Sequence, residues 1–177
     1  MNKKGSYGLI FLVMAISILI AAFWNSLPII KNSVNAVLNP TAGSLLGWNL
    51  TFGMVILVLL LSVFTTLIQK YATDQKTLRE MKEEQKKLQE DIKKLEVGSK
   101  EHTELSMKSM KFIGPMMKLS MRPIIYTAIP FILFFRWFTD YFSLVDFKFF
   151  GFLSWFWFYL LGSIIFSSLL RKILKVV

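Results

Sequence analysis

Ser62, Thr65, Thr66 and Gln69 recur at i, i+3, i+4 and i+7, the spacing that puts four side chains on one helix face. Ser163 and Ser167 repeat at i, i+4 with Ser168 beside them, and Arg122 lies between the two sets in the chain. Hydroxyls, an amide and a guanidinium can hydrate a surface and hold hydrogen bonds. A serine attacks nothing without a base beside it. The chain has one histidine, His102, and no cysteine, so a Ser-His triad, an imidazole or thiolate metal site and a disulfide framework lack their residues. No GxxxxGK[ST] phosphate loop is present. These residues predict a wetted surface, with no enzyme activity and no cofactor.

A second group has another chemistry. Five of the nine methionines are Met107, Met110, Met116, Met117 and Met121. Methionine is flexible and polarizable, and surfaces that accept many apolar sequences overuse it. The plainer account is irregular core filling beside Gly114-Pro115.

The elements that must position these groups are membrane spans. The 177 residues are 54% hydrophobic and 18% charged, against about 25% charged in soluble domains. Seventeen Phe and five Trp exclude disorder. Tyr7–Trp24, Trp48–Ile68, Met116–Phe138 and Phe149–Leu170 each approach the ~20 apolar residues that cross a bilayer. With the N-terminus in the cytosol, 18 of the 21 Lys and Arg fall inside, as the positive-inside rule expects. Trp24, Trp48, Trp137, Trp155 and Trp157 then all stand at the outer ends of spans, as an aromatic belt does. Lys3-Lys4 before the first apolar run resembles a signal peptide, but Ile20, Ala22, Phe23 and Trp24 make a poor cleavage site, which favours an uncleaved anchor. Ile30, Val34, Val37 and Leu38 beside Lys31, Asn32 and Asn35 predict an interfacial helix ended by Asn39-Pro40 and Gly43.

After Ile68 the composition turns to Lys, Glu and Gln, with seven of the eleven acidic residues between Asp74 and Glu96. Leu78, Met81, Leu88, Ile92 and Leu95 fit an a/d heptad register with Gln85 at the remaining a position. Gly98-Ser99 breaks this helix, and Lys100–Ile113 returns toward the membrane. Nothing between Trp48 and Val97 is an obvious helix breaker, so span and arm read as one continuous rod of roughly 75 Å. The individual charges read as a solvated, salt-bridged face. The apolar seam needs a partner: the returning segment, a second copy or a cytosolic factor.

The expected fold is an all-α integral membrane protein, a three-helix transmembrane core with a cytosolic coiled-coil hairpin plus an extra N-terminal span. In order, residues 1–26 form a signal-anchor-like helix, 27–44 an outer interfacial segment and 45–68 the first core span. Residues 69–113 form the coiled-coil hairpin, 114–138 the second core span, 139–148 an outer loop, and 149–177 the third span and basic tail. In this scheme Ser62, Thr65, Thr66, Gln69, Ser163 and Ser167 share the cytosolic half of the bilayer, with Arg122 at the same level. Facing each other, they would form a groove open to the cytosol and closed outside by Phe, Leu, Ile and Trp. The bland alternative is that small Ser and Thr let helices approach closely.

A span, a basic cytosolic helical hairpin, a Met-rich proline-kinked span and an aromatic-rich span, across roughly Leu45–Val177, resemble the YidC/Oxa superfamily of membrane-protein insertases, most of all its minimal archaeal YidC-like members. The same core is attributed to the coiled-coil receptor subunit of the tail-anchored-protein insertion complex and to a core subunit of the ER membrane complex. The resemblance implies a substrate groove of Ser62, Thr65, Thr66, Gln69, Arg122, Ser163 and Ser167, with capture of substrate by the five methionines. It implies as partners the lipid bilayer, nascent or newly delivered membrane proteins, and a ribosome or cytosolic targeting factor at the coiled coil. Bacterial members carry a groove arginine in their first core helix, where Trp48–Ile68 is uncharged, so Arg122 would have to serve from the next helix. The expected location is the plasma membrane, with N-terminus, hairpin and C-terminus cytosolic. The +10 net charge is explained by topology, and no specific DNA binding is expected. A membrane-anchored coiled-coil receptor or scaffold is the alternative. A channel would need polar residues continuing to the outer face.

Overall fold

The computed structural model describes residues 7–145 and 147–176, so the Lys3-Lys4 pair and Val177 lie outside the described residues. Nine α-helices appear in them: α1 (Tyr7–Ala22), α2 (Pro28–Leu38), α3 (Ser44–Trp48), α4 (Leu50–Ala72), α5 (Gln75–Ile92), α6 (Lys100–Lys111), α7 (Ile113–Ser120), α8 (Arg122–Ser143) and α9 (Trp155–Leu174). Among the described residues there is no strand, and the chain is an all-α membrane protein. Helices α4 and α9 are long and apolar enough to cross a membrane, and the bent pair Lys100–Ser120 and Arg122–Ser143 meets the same measure only when counted as one broken span. Helix α1 is apolar but has 16 residues, short of full length within the described region.

Several expected boundaries shift, each for a local reason. The span and the arm are not one rod. Thr73 is extended (φ −101°, ψ 140°), and the Asp74 carboxylate accepts the Thr77 backbone N–H at 3.2 Å, which caps a new helix. Asn39-Pro40 and Gly43 do not end the outer helix. The backbone stays helical through a wide π-helical turn at Asn39–Gly43 into α3, and stops at extended Asn49 (φ −159°, ψ 118°). The Asn49 side chain then caps α4 by accepting the Phe52 N–H. The first core helix therefore occupies Leu50–Ala72, with α3 folded back upon its start. Gly53 permits that fold, because a Cβ there would stand 2.5 Å from the Leu45 carbonyl oxygen.

The second core helix starts at Arg122, eight residues later than expected, and takes in the first five residues of the expected outer loop. Met121 marks a 44° bend between the limb Lys100–Ser120 and α8. Pro123 at the start of α8 needs no donor there. In the hairpin, Leu78 and Leu88 are buried and Met81, Gln85, Ile92 and Leu95 half-buried, while their neighbours on α5 are mostly exposed. The seam is covered by the chain's own α6 and α7. Gly98 (φ +91°) turns the chain, and Ser99 caps α6 through the His102 N–H.

Helix α4 lies along α9 and α8, and α1 lies along the other side of α8. The core sits at the end far from the hairpin. There Phe131 and Phe135 meet Tyr159 of α9 edge to face, and Phe138 and Phe142 from the same face of α8 stack on Trp155, at ring separations of 4.9–6.4 Å. Such pairs contribute about 0.5–1.5 kcal/mol each beyond area burial. Two tryptophans leave the expected belt. Trp24 and Trp137 are fully buried, donating to Asp140 Oδ2 at 2.8 Å and to Asn39 Oδ1 at 2.9 Å. A buried indole N–H needs such a partner. Trp48 and Trp157 remain exposed.

Candidate functional site

Toward the hairpin end, the large rings of α8 and α9 give way to small polar residues. Beyond the Phe131–Tyr159 pair, α8 offers Thr127 and Ile124, and α9 offers Ser163 and Ser167. Side chains this short cannot fill the space between helices whose separation the rings have set, so a cleft of about 250 Å³ remains. At ~30 Å³ per water it has room for roughly eight waters. Helix α4 approaches α9 at Gly162, where an added Cβ would be 3.1 Å from Val58 Cγ1. That contact closes the cleft's α4–α9 side toward the far end.

Of the polar residues singled out in the sequence, Ser62, Thr65, Gln69, Ser163 and Ser167 line this cleft together. Thr65 donates to the Leu61 carbonyl at 3.0 Å and Ser163 to the Leu160 carbonyl at 2.9 Å. Their oxygens keep lone pairs for an incoming donor. Ser62 Oγ is buried with no hydrogen-bond partner among the described residues. Thr66 is separate: it is 1% exposed, donates to the Ser62 carbonyl at 2.7 Å, and is not in the lining. It is a packed small residue. Arg122, half-buried at the first turn of α8, is also not in the lining, though Ser120 and Pro123 beside it are. A cation is disfavoured inside a helix N-terminus.

The sequence reading missed Ser120, Thr127, Phe131 and Tyr159. Tyr159, Ser163 and Ser167 are one i, i+4, i+8 stripe, and the signal was one turn longer than the serines. Ser120, Pro123, Ile124, Thr127 and Phe131 also keep helical spacing, hidden by the break at Met121. The five methionines string along the limb from α6 to that bend. Met107, Met110 and Met117 are at least half exposed, Met116 and Met121 are half-buried, and none lines the cleft.

A polar cleft at one end of an otherwise apolar helical core is the setting in which likeness to known proteins decides. Residues 35–176 match the family described as integral membrane protein EMC3/TMCO1-like. The chain belongs to the EMC3/TMCO1-like family. That family is part of the Oxa1/YidC/Alb3 insertase-related superfamily and is related to membrane-protein insertion. No curated protein and no solved structure matches the chain. The family match takes in all three core helices, the hairpin and the cleft, and leaves α1 outside it. As an EMC3/TMCO1-like protein the chain works in the lipid bilayer, with membrane proteins as its substrates at the level of the family.

Proposed function

We propose that this chain is an insertase of the minimal, archaeal YidC-like kind, passing nascent or newly delivered membrane proteins into the bilayer without nucleotide hydrolysis. The observation that carries this reading is the meeting of Ser62, Thr65, Gln69, Ser163 and Ser167 in one cleft beneath an apolar, aromatic-rich far half. The basic residues crowd the hairpin and the tail, so the cleft opens toward the cytosol of a plasma membrane by the positive-inside rule. A substrate's polar flank enters the cleft and exchanges water for Ser, Thr and Gln partners, which lowers the desolvation cost of leaving water. Its apolar span meanwhile leaves sideways into lipid, and burial of ~20 apolar residues drives the step. The exposed Met107, Met110 and Met117 hold varied apolar segments on the way, and the hairpin receives a ribosome or a cytosolic targeting factor. No residue here acts as a chemical catalyst and no cofactor is required.

Photo-crosslinking from Thr65 and from Met117 to a newly delivered single-span protein tests the route. Adducts at both positions, with Met117 first in time, are expected. Adducts at Met117 alone favour the second reading, a membrane-anchored receptor, which the exposed methionines and Val97 on the hairpin also fit.

A further inference from the structure

At the far end of the bundle, away from the cleft, α2, the turn after it and α8 enclose a second cavity of about 360 Å³. Ligand sites begin near ~300 Å³, so it has room for one small ring or headgroup. We propose that this cavity binds a neutral polyhydroxyl group, the sugar or glycerol headgroup of a lipid in the adjoining leaflet. The proposal does not rest on the insertase reading.

The wall chemistry selects the ligand class. The Lys31 ammonium is met by Asp140 Oδ2 and by Asn25 Oδ1, each at 3.0 Å, so its charge is matched. Asn39 Oδ1 is taken by the Trp137 indole at 2.9 Å, which leaves the Asn39 NH₂ as a donor. The Asn35 amide and the Tyr141 hydroxyl also line the cavity, and neither has a side-chain hydrogen bond among the described residues. The cavity therefore presents donors and acceptors side by side, with a carboxylate on its wall. A phosphodiester only accepts, and any phosphate brings negative charge against the Asp140 carboxylate. Hydroxyl groups both donate and accept, so they satisfy such a wall in full. The half-buried Tyr141 ring, 5.3 Å from the buried Trp137 ring, adds an apolar surface on which the C–H face of a sugar ring can lie. Position agrees with chemistry: amphipathic aromatic residues collect at the headgroup level, as exposed Trp48 and Trp157 do at this end.

The test uses the full chain in nanodiscs of phosphatidylcholine containing equal small fractions of a monoglucosyl diacylglycerol and phosphatidic acid, with retained lipids counted by native mass spectrometry. The wild-type chain is expected to retain the glucosyl lipid roughly tenfold over phosphatidylcholine, the effect of one or two net hydrogen bonds. Asn35→Leu with Tyr141→Phe should bring retention to parity while circular dichroism stays unchanged, and Asn35→Ala alone should lower it in part. Excess free glucose that displaces the lipid assigns recognition to the polyhydroxyl group itself. If glucose does not displace it, the group is recognised as part of a membrane lipid. Parity in the wild-type chain, a preference for phosphatidic acid, or a glucosyl preference that survives the double substitution overturns the proposal.

Discussion

Drying the cleft without changing its shape is the sharpest test of how it works. The substitutions Ser62→Ala, Thr65→Val, Gln69→Leu, Thr127→Val, Ser163→Ala and Ser167→Ala remove polar atoms and keep side-chain bulk close to native. On α4 the polar face runs from Gln69 to Ser62, seven residues or about 10 Å at ~1.5 Å each. That depth is a third of the ~30 Å hydrocarbon layer. A charge at the centre of a span costs ~2.5–3.5 kcal/mol on insertion scales, so hydrating a third of the path relieves about 1 kcal/mol per charge. Losing it should slow insertion roughly fivefold for a singly charged translocated flank and about 30-fold for a doubly charged one. A neutral flank should hardly change. Protease protection of the translocated tail in proteoliposomes reads all three substrates in parallel. The fold should persist, because Thr65, Thr127 and Ser163 donate to carbonyls of their own helices and interhelical polar contacts average only about 0.6 kcal/mol. Equal slowing of all three substrates, or full rates for the doubly charged one, would refute the mechanism.

Gly53→Ala should destabilise the chain by several kcal/mol in a detergent melt, because the new methyl meets the Leu45 backbone at 2.5 Å and no flexible side chain can yield. Unchanged melting would remove the α3–α4 close approach as a determinant of the fold. Asp140→Asn leaves Lys31 without its counter-ion and weakens the acceptor for Trp24; a loss of about 1–3 kcal/mol and faster proteolysis at the α1–α2 junction are expected. Single cysteines at Ser33, Ser99 and Ser143 should label from outside, inside and outside in intact cells, and labelling of Ser99 from outside would invert the topology.

The sequence carried the parts of this fold that depend on periodicity. The α5 heptad register matches the buried and half-buried positions residue by residue, and five of six polar groups on α4 and α9 meet in one cleft. What it hid depends on tertiary partners. Trp24 and Trp137 look like belt residues until Asp140 and Asn39, about a hundred residues away, are brought to their indoles. Thr66 shares a helical face with Ser62, but the packing around α4 buries it. Asp74 was readable, since an Asp before a helical run is a capping signal, yet the charge-rich stretch around it suggested uninterrupted helix. Arg122 rests on its depth and on the family resemblance, and at the first turn of α8 it is outside a lining that includes its neighbours Ser120 and Pro123.

The seat of α1 has a consequence for how the molecule is made. Trp24 waits for Asp140, 116 residues later in the chain, and Tyr7, whose hydroxyl donates to the Gly114 carbonyl at 3.2 Å, waits for a partner 107 residues away. At ~5–20 residues per second, the ribosome needs roughly 6–25 s to deliver the other half of these contacts. During that interval α1 is a lone apolar helix in lipid. It is suited to the delay: its buried serine, Ser17, donates to the Val13 carbonyl at 2.8 Å, within the same helix. Helix α1 is thus seated only once α8 has been made, and a ribosome stalled before Asp140 would leave α1 adrift.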